Sequence, residues 1–184
     1  MNEVYNNFSN ARRLPTMIIN YLKRNAPNVW RILKYFDAPY QRPELTTEEI
    51  NKLIVPVWSS TAADEYAVLP LRYSGQAITK QDIQLRISMY EDDSVNRTTT
   101  RVRVMLQFIC NNNASSISSP YSNAEDRAFA LMQETMAVLN GAELPEIATV
   151  LNMDGAADNA VGWYAAKFSD TYSGYECIMS CMTQ

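Results

Sequence analysis

The apolar positions along the chain follow two different rhythms. Met17, Ile18, Tyr21 and Leu22 fall at i, i+1, i+4 and i+5, one face of a helix, so a helix is predicted from Pro15 onward. A proline is tolerated in a first turn, where its missing N–H has no intrahelical partner. Pro27 restarts the chain. Val29, Trp30, Ile32, Leu33 and Phe36 then predict a second short helix, with Asn25 or Asn28 as its N-cap. Residues 41–45 read as a linker. Thr46-x-x-Glu49 has the spacing of a capping box and predicts a third helix over 46–55 that buries Ile50, Leu53 and Ile54.

Beyond residue 67 the period becomes two. Residues 67–73 read as extended. In 82–89, Ile83, Leu85, Ile87 and Met89 point one way and Gln84, Arg86 and Ser88 the other, a half-buried strand. In 101–110, Val102, Val104, Leu106, Phe108 and Cys110 alternate with outward Arg101, Arg103 and Gln107. The polar connector 91–100 joins the two as an antiparallel hairpin. Ser122-x-x-Glu125 repeats the capping-box spacing before a helix over 123–140. Its face carries Phe129, Met132, Met136 and Leu139 beside Ala128 and Leu131, and Asn140-Gly141 ends it. Residues 150–153, 161–168 and 175–182 are later strand candidates. The last sets Tyr175, Cys177, Met179 and Cys181 against Glu176, Ile178 and Ser180. The expectation is one α+β domain over 1–184: short N-terminal helices, then an antiparallel sheet built on a long hairpin and packed against one main helix. Residues 1–9 are expected to form an extended or mobile arm. The Asn/Ser-rich stretch 111–122 is expected to be a polar loop, mobile or ordered by a partner.

A chain of 184 residues suits one domain and can bury roughly 70% of its unfolded surface. No apolar run approaches the roughly 20 residues of a membrane-spanning helix, and Met1-Asn2-Glu3-Val4-Tyr5 lacks the pattern of a secretion signal. An intracellular chain is therefore expected at synthesis, with no membrane partner. The net charge of −4 hides a division. Residues 1–34 carry Arg12, Arg13, Lys23, Arg24, Arg31 and Lys34 against Glu3, a net +5; the remaining 150 residues hold ten basic and nineteen acidic side chains, a net −9. That split reads either as a basic docking end on an acidic body or as a solvated helix face.

The chain has no histidine, which removes the commonest general base and metal ligand. Its five glycines are scattered singly, without a phosphate-binding loop. Cys110, Cys177 and Cys181 read as buried free thiols in preference to a three-thiolate zinc site lacking a fourth ligand. Glu91-Asp92-Asp93 reads as a hairpin tip before a cation site, and Asp154 with Asp158 lacks the spacing of a calcium loop. Carboxylate pairs for glycoside chemistry stay open, with nothing singling out a pair. Arg101 and Arg103, with Arg86 on the neighbouring strand, form a local basic stripe or pair with acids across strands. No cofactor, metal or catalytic residue is expected.

Val29-Trp30-Arg31-Ile32-Leu33-Lys34-Tyr35-Phe36, followed by Asp37-Ala38-Pro39-Tyr40-Gln41-Arg42-Pro43-Glu44-Leu45-Thr46-Thr47-Glu48-Glu49, resembles the start of small neck proteins of tailed bacteriophages, the head–tail connector and tail-terminator group. There a short helix ending in a Leu-Leu-Tyr-Tyr-like run precedes a Pro-x-Leu-Thr-x-Glu-Glu segment, a β-hairpin, one helix and a final strand. The basic N-terminal helix and the long segment 144–170 are additions to that order. The resemblance implies a non-enzymatic virion protein that forms a ring of six or twelve copies in the neck, made in the host cytoplasm. Its partners would be copies of itself, portal or connector proteins and tail proteins, with DNA passing through unread. Candidate contact residues are Arg12, Arg13, Lys23 and Arg24, then Glu91, Asp92, Asp93, Asn96 and Arg97 at the hairpin tip, and Asn112 and Ser116 in the polar loop. The alternative is an intracellular protein-binding or regulatory module that uses a sheet edge.

Overall fold

A computed structural model describes residues 3–56, 65–70, 81–94, 100–144, 149–153 and 162–183. Its order is helix α1 (Glu3–Asn25), α2 (Pro27–Lys34), α3 (Thr47–Leu53), strand β1 (Val68–Leu69), β2 (Ile83–Ser94), β3 (Thr100–Asn111), β4 (Ser116–Ile117), β5 (Glu125–Asp126), helix α4 (Arg127–Leu139), then β6 (Ala142–Leu144), β7 (Thr149–Met153), β8 (Trp163–Lys167) and β9 (Tyr172–Thr183). The class is α+β. The main sheet runs β1-β2-β3-β9-β7-β6, with β8 also paired to β9; β1 joins β2 in parallel, and the other pairs are antiparallel. No described helix is long and apolar enough to cross a membrane.

The predicted hairpin forms and is longer than its alternation suggested. β2 continues to Ser94 through a bulge at Tyr90, and Glu91, Asp92 and Asp93 stand opposite Arg103, Val102 and Arg101. These three acids are therefore ladder positions and not a loop tip. A polar strand pairs through its backbone, which a search for apolar alternation does not register. Asn96, Arg97, Asp154 and Asp158 lie outside the described residues.

Helices α1, α2 and α4 cover one face of the sheet. Leu14, Ile18 and Leu22 of α1, Trp30 and Ile32 of α2, and Leu131 and Leu139 of α4 meet Leu85, Ile87, Val104, Leu106, Phe108, Cys177 and Met179 in one continuous core. Trp30 Nε1 donates to Leu22 O at 3.0 Å, locking α2 against the end of α1. Residues 3–9, expected to be extended, are the first turns of α1, which runs through Pro15. A proline inside a helix costs about 3 kcal/mol. Burial of Leu14, Met17, Ile18, Ile19 and Leu22 against the sheet offsets it. The N-cap of α2 is Ala26, with Pro27 at the first helical position. Asn25 and Asn28 do other work: Asn25 Nδ2 donates to Tyr21 O at 2.9 Å, and Asn28 Nδ2 to Glu134 Oε2 at 3.1 Å.

The capping box of α3 forms as read. Glu49 N–H donates to Thr46 Oγ1 at 3.3 Å, and Thr46 N–H returns to Glu49 Oε2 at 2.9 Å. The second predicted box does not form. Glu125 pairs with Ile117 in a short ribbon, and Asp126 caps α4 by accepting from Phe129 N–H at 3.0 Å. Both Ser122 and Asp126 are good caps by type; the β4–β5 pairing chooses between them. The polar loop is tied down in the same way. Asn112 donates from its N–H to Thr171 O at 2.9 Å, and its side chain accepts from Ser173 Oγ at 2.6 Å. Ala114 and Ile117 within it are buried.

The other face of the sheet is not the solvent face its polar residues predicted. Gln84, Arg86, Ser88, Met105, Gln107 and Ile109 are all buried. Arg86, Gln107, Glu176 and Tyr164 stand in register across β2, β3, β9 and β8. Gln107 Nε2 donates to Glu176 Oε1 at 2.5 Å and Tyr164 donates to the other carboxylate oxygen. Arg86 donates twice to Gln84 Oε1, at 3.0 and 2.8 Å. Of Arg86, Arg101 and Arg103 only Arg86 is inside; Arg101 is exposed, Arg103 is half-buried, and the two stand opposite Asp93 and Glu91, in register with the pairing to acids across strands that was the stripe's alternative.

Two outcomes follow from this packing. A Cβ on Gly174 would lie 1.8 Å from the Phe108 carbonyl oxygen. Gly174→Ala should therefore force β9 away from β3 and cost about 2–3 kcal/mol in urea unfolding. Glu49 is held down to about 2 from an ordinary 4.5 by the hydrogen bond from Lys34 and those from Thr46. Its stabilising contribution is complete above 4.5 and is lost as pH falls towards 2. Glu49→Gln should therefore flatten the acid limb of a thermal-unfolding profile in that window.

Candidate interaction surface

Arg127 organises the surface at one end of the helical layer. It opens α4, where its charge opposes the positive end of that helix's own dipole. Its guanidinium is instead turned onto the C-terminal end of α2. Nε and Nη2 donate to Ile32 O at 3.2 and 2.8 Å, and Nη2 also to Tyr35 O at 3.2 Å. Carbonyls in the last turn of a helix have no partner within it, and a buried cation there meets both the hydrogen-bond and the dipole requirement. Arg127 is 2% exposed, and burial pulls its pKa below the usual arginine range. The half-exposed ring of Phe36 lies 5.6 Å from its guanidinium carbon.

Past Phe36 the chain turns sharply. Ala38 sits at φ 41°, in the left-handed region, and starts the 3-10 turn Pro39–Gln41. The turn brings Tyr40 beside Glu134 of α4, and burial with the nearby carboxylates of Glu134 and Glu125 pushes its hydroxyl pKa up. Asn28 bonds Glu134 from the α2 side. Tyr121, Glu125, Gln133, Glu134 and Ala137 line an open cleft of about 500 Å3. Tyr121 is 84% exposed, and Glu125 Oε2 is buried without a hydrogen-bond partner.

The basic residues of α1 divide. Lys23 Nζ is engaged by Asn51 Oδ1 at 2.6 Å, and Arg24 Nε by Asn20 O at 3.2 Å. Arg12 and Arg13 are exposed and have no partner among the described residues. Asn112 is exposed but bonded within the chain, and Ser116 is exposed with its backbone paired to Asp126. Among the described residues of the predicted contact set, Arg12 and Arg13 are thus the free cations.

The pattern reading did not find Tyr40, Tyr121, Glu125, Glu134 or Arg127. Tyr40 and Glu134 come together, and Arg127 finds its acceptors, only when α2 and the turn after it pack on α4. Arg127 did carry a signal in its type: a cation in the first turn of a helix is misplaced unless another helix end receives it.

Among the described residues no group of three or more His, Cys, Asp or Glu is placed to hold a metal ion. Cys110, Cys177 and Cys181 are buried and form no disulfide. Burial pushes Cys110 and Cys177 up to about 12, so they stay protonated and unreactive at neutral pH. No protein-family model matches the chain, and no curated protein or solved structure matches it.

Arg127→Met should leave the Ile32 and Tyr35 carbonyls without this donor and lower the stability by about 2–4 kcal/mol in urea unfolding. Arg127→Lys should recover only part of the loss, because one ammonium cannot reproduce the forked donation to Ile32 and Tyr35.

Proposed function

We propose that this chain is a structural subunit of the neck of a tailed-bacteriophage particle, a head–tail connector or tail terminator that assembles with copies of itself into a ring around the DNA channel. The observation that carries the reading is the order of elements. The apolar helix α2 leads through Pro43-Glu44-Leu45-Thr46-Thr47-Glu48-Glu49 into the capped helix α3. The long β2–β3 hairpin, α4 and the closing strand β9 follow, and β9 returns to lie along the hairpin. Charge gives secondary support. The acidic body would give a channel wall that repels phosphates, so DNA passes without being gripped. A subunit of this kind acts through surface complementarity, and its work is done by contacts with neighbouring copies and with portal and tail proteins. The rival reading is a module that recruits a partner strand at a sheet edge; β8, five residues long and paired only to β9 among the described strands, is the edge it would use.

Co-expression with the portal and tail proteins of the same genome, followed by cryo-electron microscopy, tests the proposal. The expected result is a closed ring of this chain, six- or twelve-fold, seated between them. A chain that stays monomeric and co-purifies with none of those proteins would overturn it.

A further inference from the structure

We propose that the copies join head to tail, the arginine-bearing face of α1 in one copy seating in the cleft along α4 of the next. This rests on the ring reading above and specifies the surfaces it would use. The cleft is made by the outward side of α4, with Gln133, Glu134 and Ala137, and by the turn carrying Tyr121 and Glu125. Among the described residues it is lined by two carboxylates and no basic side chain. Glu125 and Glu134 supply its negative charge, and neither makes an ion pair among the described residues. Tyr121, 84% exposed, adds an aromatic face at the rim. A planar guanidinium suits both, donating to a carboxylate while stacking on a tyrosine.

The chain itself presents that chemistry. Arg12, Thr16, Asn20 and Arg24 recur every four residues along α1 and are all exposed. Arg12 and the adjacent Arg13 are without partners among the described residues, and no acid occurs between Arg12 and Phe36 to neutralise the stripe. The net +5 of residues 1–34 faces a net −9 in the rest, so copies attract end to body and repel body to body. Because the two patches differ, each copy offers one of each. A contact of this heterologous kind propagates, and it closes into a ring when the rotation between neighbours allows.

Sedimentation velocity on the full chain at rising concentration, in low and high salt, tests this. The wild type should self-associate, less so at high salt. Arg12→Glu with Arg13→Glu should weaken association at least about tenfold. Glu125→Lys should do the same, and so should Gln133→Arg, which sits at an exposed helix position and guards against a folding defect at Glu125. A mixture of the Arg12→Glu/Arg13→Glu protein with the Gln133→Arg protein should form pairs and nothing larger, since only one intact contact remains. Association that none of these changes alters would overturn the head-to-tail contact and leave the ring reading standing on another surface. A wild type that never associates would overturn the contact and also count against a self-assembling ring.

Discussion

The fold depends on β3 being paired along its whole length on both sides. Every residue from Thr100 to Asn111 faces a partner in β9, and β2 lines the opposite edge with a single irregularity at Tyr90. A central strand so enclosed has its backbone donors and acceptors satisfied without water, which is the condition for burying it. It also transmits register. Shifting either neighbour by one residue would turn Leu85, Leu106 and Cys177 away from the helices and Arg86, Gln107 and Glu176 towards them. The polar row across four strands penalises that slip, because Gln107 and Tyr164 reach Glu176 only in the observed alignment. Gly174 belongs to the same constraint: β9 approaches the Phe108 carbonyl too closely for any side chain.

The helical layer is tied together at its end by Arg127. One guanidinium closes the C-terminus of α2, shields itself under Phe36 and begins α4. It thereby sets the spacing between the two helices across which Asn28 reaches Glu134. Glu134, on the cleft wall, is anchored from the α2 side by Asn28 and lies beside Tyr40, while Tyr121 and Glu125 come from the turn before α4. The α4 surface that receives a neighbour in the proposed ring is therefore held by a buried interaction and does not depend on the neighbour for its shape.

Much of the architecture was legible in the residues. Period-two runs located β2, β3 and β9, and the Thr46–Glu49 spacing located the start of α3, because both signals come from neighbours a few residues apart. The misplaced boundaries share one cause. Pro15 lies inside α1 because its neighbours are buried against the sheet. Asp126 caps α4 in place of Ser122 because Glu125 is drawn into a ribbon with Ile117. In each case two local options of similar energy were separated by a contact outside the helix itself. The candidate surface was legible only in its cations: Arg12 and Arg13 stand out by charge, whereas the cleft that would receive them forms where the turn carrying Tyr121 and Glu125 folds beside Gln133, Glu134 and Ala137 of α4, a proximity no period in the residues marks.

What the sequence by itself determined is which side chains share a face and how the charge divides between the N-terminal helices and the rest. Alternation is a property of the pleat, and net charge a property of composition. The tertiary structure alone decided what covers each face. It buried Gln84, Arg86 and Gln107, it turned Arg127 from its own helix to another, and it gathered Glu125 and Glu134 into one cleft. The reason is that polar groups carry no local mark of burial: a glutamine or arginine looks the same in a solvated strand and in a core, and only its partners across the fold make the second place tolerable.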